Sequence, residues 1–93
     1  MTDYVVTYDL RKETGTEGYK ELWDELKRLD GHRTHDSVWL VNVNNTAKEL
    51  HDHLKAFMDG NDRLWVSELT KKHHYSNARG GTNEWLANNP PDR

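Results

Sequence analysis

Apolar residues alternate at the start of the chain and later recur every three or four positions in two places. That pattern predicts strands and helices in turn. Tyr4–Leu10 is rich in β-branched and aromatic residues, the composition of a pleated, half-buried surface. A period of two sets Val5, Thr7 and Asp9 on one face and Tyr4, Val6, Tyr8 and Leu10 on the other. Arg11 to Gly18 is a polar turn in which Thr14 and Glu17 have capping-box spacing. Tyr19, Leu22, Trp23, Leu26 and Leu29 then form one helical stripe. Lys20, Glu21, Asp24, Glu25, Lys27 and Arg28 fill the solvent side, and Gly31 offers the C-terminal cap.

The next segment reads as extended. Val38–Val43 is a strong strand and His32–His35 a short polar one, with Asp36-Ser37 either bending a single strand or turning between two. Thr46 and Glu49 form a second capping box. The helix they open buries Ala47, Leu50, Leu54, Phe57 and Met58 and ends in the turn Asp59–Asp62. Arg63–Thr70 is a further strand carrying Leu64, Trp65, Val66 and Leu69. Beyond it, Lys71–Thr82 is a polar, mobile loop broken by Gly80-Gly81, and 82–88 makes about two helical turns around Trp85 and Leu86. Such a short helix must dock, on its own sheet or on a second subunit. The division is therefore a domain over 1–72 and a polar loop with a docking tail over 73–93. Single-striped helices belong on one face of one antiparallel sheet, an α+β sandwich of the ferredoxin-like βαββαβ kind. The other sheet face is left bare, as a dimer interface or a ligand platform.

Composition narrows the function. Ninety-three residues make one domain with a small core, and a mean hydropathy of −1.11 is polar for a globular chain. Four Trp and four Tyr supply much of the burial. The chain has no Cys, which excludes disulfides and thiolate zinc sites. No span approaches membrane length, so a cytoplasmic protein is expected. Sixteen acids against thirteen Lys and Arg give a net charge of −3, against tight, sequence-independent DNA binding. Nucleic-acid contact would have to come from a local patch such as Lys71, Lys72, His73 and His74 with Arg79.

Other constellations are weaker. His51 and His53 are two apart on a helix and point in different directions, so they cannot chelate together. His73-His74 reads as loop surface, and Gly80-Gly81 lacks the strand and Lys of a phosphate loop. Trp39 and Trp65 sit mid-strand, where core or dimer packing accounts for them better than base stacking, because the basic residues of RNA-binding sheets are missing.

Asp9 is the local anomaly. Carboxylates are depleted in strands, so Asp9 either marks the strand end by bonding the following turn or serves a function. Tyr4-Val5-Val6-Thr7-Tyr8-Asp9-Leu10 resembles the first-strand signature of the small ferredoxin-like adaptation proteins of CRISPR systems, relatives of VapD-type toxin ribonucleases. Those proteins carry an Arg-x-Gln-x-Ser-Val-Phe pattern leading into the third strand. Here Arg33, His35, Ser37, Val38 and Trp39 stand in that place, with His35 for Gln and Trp39 for Phe. The resemblance covers roughly residues 3 to 70 and extends to short SinR-like bacterial and phage proteins that end in a Trp-Leu segment. It implies a homodimer of face-packed sheets and a metal-dependent endonuclease of RNA or DNA. In that scheme Asp9 binds Mg²⁺ or Mn²⁺ near the twofold axis, and Arg33 and Ser37 match the family's other site positions. A catalytically inactive dimeric adaptor and an RNA-binding sheet are the alternatives. The acidic net charge departs from the DNA-binding members.

Overall fold

A computed structural model describes residues 1–10 and 19–93. The element order is β1 (Thr2–Asp9), α1 (Lys20–Arg28), β2 (His32–His35), β3 (Val38–Val43), α2 (Ala47–Lys55), β4 (Arg63–Glu68) and α3 (Thr82–Asn88). The strands form one antiparallel sheet in the order β2-β3-β1-β4. This is the ferredoxin-like βαββαβ arrangement expected from the sequence, with α3 added behind it. Asp36-Ser37 forms a tight turn, so β2 and β3 are two strands rather than one bent one. The capping box expected at Thr14 and Glu17 lies outside the described residues. Among the described residues, no helix is long and apolar enough to cross a membrane.

Alternation along β1 builds the core. Tyr4, Val6 and Tyr8 join Trp39, Val41 and Val43 of β3, and Leu22, Leu26, Leu50 and Leu54 of the two long helices close over them. Tyr8 is the polar centre of that core. Its phenol oxygen accepts the indole N–H of Trp23 at 3.0 Å and of Trp39 at 3.1 Å. One hydroxyl thus ties β1 to α1 and to β3.

The helix ends follow the sequence with one change. At α2 the Thr46 hydroxyl accepts from the Glu49 amide at 3.1 Å and the Glu49 carboxylate accepts from the Thr46 amide at 2.8 Å, the expected capping box. At the C-terminus of α1, the left-handed residue is Asp30 (φ 58°), not Gly31. Asp30 N–H donates to the Lys27 carbonyl and Gly31 N–H to the Leu26 carbonyl, each at 2.9 Å, which is the Schellman pattern. Gly31 matters for space instead. A Cβ there would stand 2.7 Å from the Leu26 carbonyl oxygen and 3.3 Å from that of Leu40.

Glu25 corrects the expected solvent side of α1. Its side chain is buried, and it accepts from Arg28 Nε and Nη2 at 2.7 and 2.6 Å while lying 2.5 Å from His53 Nε2 of α2. The Arg28 guanidinium lowers its carboxyl from the ordinary 4.5 to about 2. Binding a proton less readily when folded, Glu25 contributes stability in full above pH about 4.5, and that contribution fades as pH falls toward 2.

Two stability outcomes follow. Tyr8→Phe strands two indole donors and should cost about 2–4 kcal/mol, read by urea unfolding, whereas loss below 0.5 kcal/mol would show that the phenol is not the tie described. Glu25→Gln should flatten the fall of the thermal midpoint between pH 4.5 and 2 relative to wild type. Parallel acid limbs would assign that fall to other carboxylates.

Candidate functional site

The open face carries the residues that the core rejects: Asp3, Val5, Thr7 and Asp9 on β1, Val38, Leu40 and Asn42 on β3, and Arg63, Trp65 and Ser67 on β4. It is not bare, as the sequence led us to expect. The segment after β4 folds back over the β2–β3 half. The Arg79 amide donates to the Thr34 carbonyl at 2.9 Å, and Arg79 Nη2 pairs with Asp36 Oδ1 at 2.8 Å. Arg79, once a candidate phosphate contact, is therefore committed to Asp36. The tail helix docks on its own sheet edge. The Trp85 indole donates to the Asp30 carbonyl at 3.0 Å.

Thr82 is the node of that docking and is buried. Its hydroxyl donates to the Arg79 carbonyl at 2.8 Å and lies 2.8 Å from His32 Nε2 and 3.1 Å from Thr34 Oγ1. With its one proton given to Arg79, it accepts from the other two. Between the tail and the sheet lies a cavity of about 350 Å³, lined on the sheet side by Val5, Thr34, His35, Val38 and Leu40 and on the tail side by residues including Tyr75 and Leu86.

Asp3 was not singled out in the sequence, although alternation sets it at the opposite end of the stripe that ends in Asp9. It is 1 % exposed. Asn42 Nδ2 donates to its Oδ1 at 2.6 Å, while Oδ2 is buried without a hydrogen-bond partner among the described residues. Burial pushes its carboxyl up from the ordinary carboxylate range.

Only the Asp9 end of the β1–β4 half stays uncovered, with Asp9, Arg63 and Trp65 largely exposed, whereas its Asp3 end is buried. Asp9 pairs in register with Arg63, its side chain is 68 % exposed, and Arg63 Nη1 lies 3.9 Å from its carboxylate. Thr7, Leu64 and Trp65 share the shallow recess around them. Trp65 is 67 % exposed, whereas Trp39 belongs to the core. The two mid-strand tryptophans therefore take opposite faces.

Ser37 and Arg33 fall at the same end of the sheet without converging on Asp9. Ser37 is exposed in the β2–β3 turn, and its carbonyl accepts from the Tyr8 amide at 3.3 Å. Arg33 turns toward the helices. Its guanidinium stands 5.1 Å from the Trp23 ring centroid and donates to the Asp36 carbonyl through Nε at 3.0 Å and Nη2 at 2.5 Å. Glu68 is opposite Tyr4, at the far end from Asp9. Among the described residues, no group of three His, Cys, Asp or Glu could hold a metal ion. His51 and His53 go separately to Asp52 and Glu25.

The donor set can be weighed for Mg²⁺ or Mn²⁺. One exposed carboxylate beside a guanidinium is too little for a cation site in a single chain. Two such carboxylates, one from each of two copies, fit an ion that takes hard oxygen ligands and keeps several waters.

A family model described as "CRISPR associated protein Cas2" matches residues 1–76. The match takes in Asp9, Arg33 and Ser37 and stops short of α3. No solved structure matches the chain.

The docking node makes a direct prediction. Thr82→Val keeps the volume but removes the hydroxyl from three partners and should lower stability by about 1–3 kcal/mol. It should also speed amide exchange of Arg79 and Trp85 ahead of the sheet. Equal exchange rates in both proteins would mean that the tail is held elsewhere.

Proposed function

Since the chain belongs to the family of CRISPR-associated Cas2 proteins, we propose that it is a cytoplasmic, homodimeric, divalent-metal-dependent endonuclease with Asp9 as its metal-binding carboxylate. The observation that carries this reading is the placement of Asp9. It ends an inner strand of the sheet, is largely exposed, and lies at the corner of the open face where Arg63 and Trp65 are exposed as well. A second copy packed face to face, with the twofold axis beside the end of β1, brings two Asp9 carboxylates together.

The residues present divide the work. The paired Asp9 carboxylates would hold Mg²⁺ or Mn²⁺, which would draw charge from a phosphate oxygen and make a bound water more acidic. Arg63, 3.9 Å from Asp9, offers a planar, permanently charged group to the phosphodiester backbone. Ser37, in the exposed turn beside the end of β1, offers a hydroxyl at the rim. Arg33 acts as a positioning residue, since its guanidinium holds the turn through the Asp36 carbonyl.

Asp9→Asn is the test. In the absence of metal, two carboxylates near the dimer axis repel, so Asp9→Asn should raise the dimer's thermal midpoint in EDTA. The same change should reduce Mn²⁺-dependent cleavage of single- and double-stranded RNA and DNA to background. Equal midpoints with EDTA and with Mn²⁺, and no cleavage that depends on Asp9, would overturn the nuclease and leave a dimeric adaptor.

A further inference from the structure

The open face has a projection and a recess side by side. Trp65 projects from β4, 67 % exposed. The cavity of about 350 Å³ opens over β2 and β3, walled by the tail and floored by Val5, Val38 and Leu40. The two features share one level along the strands. His35 pairs with Val38, Val38 with Thr7, and Thr7 with Trp65, so the four residues make one row across the sheet.

That row meets a symmetry requirement. An isologous dimer uses the same patch twice, so any knob must meet a hole on the same face. A twofold axis parallel to the strands, above the β1–β3 seam, exchanges β4 with β2 and keeps each residue's level. It carries Trp65 of one copy over the His35–Val38 end of the other copy's cavity. It also sets the exposed Asp9–Trp65 corner of each copy against the tail-covered half of the other. The same operation places the two Asp9 residues, which end β1 next to the axis, across from each other.

We propose that Trp65 of each copy fills the cavity between tail and sheet of a second copy, and that this paired insertion is the principal contact of a symmetric dimer. The inference rests on the homodimer named above and adds its register and its anchor. An aromatic anchor in a pocket walled by apolar groups is the usual centre of binding energy at an interface. The arrangement also gives the tail a second task, because Leu86 and Tyr75 shape the hole into which the indole goes.

Sedimentation equilibrium on the full chain tests this with four proteins: wild type, Trp65→Ala, Val38→Phe and the double variant. Trp65 is exposed and Val38 half-buried in the single chain, so circular dichroism should show each variant folded. Trp65→Ala should raise the dimer Kd about 100- to 1,000-fold, because symmetry removes two anchors at once, while Trp65→Phe should restore most of the loss. Val38→Phe narrows the hole and should weaken the wild-type dimer by at least tenfold but add little to Trp65→Ala, the non-additivity expected of groups in contact. A dimeric wild type with an unchanged Kd in Trp65→Ala would overturn the insertion and leave the dimer standing. Fully additive effects would also overturn it, since Trp65 would then pack elsewhere. A wild type that stays monomeric at high micromolar concentration would overturn the dimer and the insertion together.

Discussion

The two-residue alternation of β1 is the constraint on which the rest depends. Among the described residues, β1 is the only strand flanked on both sides by others that pair with it without irregularity, β3 on one side and β4 on the other. Its even positions fill the core and its odd positions make the open face, so a slip by one residue would exchange the two. Tyr8 pins the choice. Its phenol can serve both Trp23 and Trp39 only from the helix side. Once Tyr8 is fixed inward, Asp9 must point outward, and Thr7 must fall level with Val38 and Trp65.

The tail converts a symmetrical sheet face into a stepped one. Its contacts are mostly polar and specific: the Thr82 hydroxyl among three partners, the Arg79–Asp36 pair, and the Trp85 indole on the Asp30 carbonyl. The Arg79 amide also takes up a carbonyl of β2, an edge strand whose free backbone groups would otherwise invite pairing. Asp30 joins this network to the helix end. The left-handed turn that closes α1 presents the carbonyl on which Trp85 rests. Covering the β2–β3 half leaves Asp9, Arg63 and Trp65 exposed at one corner of the face.

What the sequence made legible is local. The Thr46 capping box, the polar strand His32–His35 and the short helix around Trp85 rest on interactions within a few residues, and each appears where its pattern set it. The same holds for the single stripe on each long helix, which fixes the layer order. What was not legible depends on pairs far apart in the chain. Glu25 sits at a solvent-side position of α1 by periodicity, but it is covered through His53, 28 residues away. The tail meets β2 through Thr82 and His32, 50 residues apart, and no periodicity encodes such a meeting. Arg33 reads as a site residue beside Ser37, yet it pairs with Trp39, whose side chain faces the core. The guanidinium consequently faces Trp23 rather than Asp9.

The uncovered corner explains how a chain of net charge −3 could still engage phosphates. Asp9 and Arg63 lie 3.9 Å apart and oppose each other's charge, both largely exposed. Left as they are, they offer a phosphate no net attraction. On the proposed reading, two copies double the pair without changing the balance: two carboxylates against two guanidiniums. Neutralising the carboxylates is what frees the guanidinium charge for the backbone of a nucleic acid. On that same reading, binding of a nucleic acid is coupled to occupation of the Asp9 site.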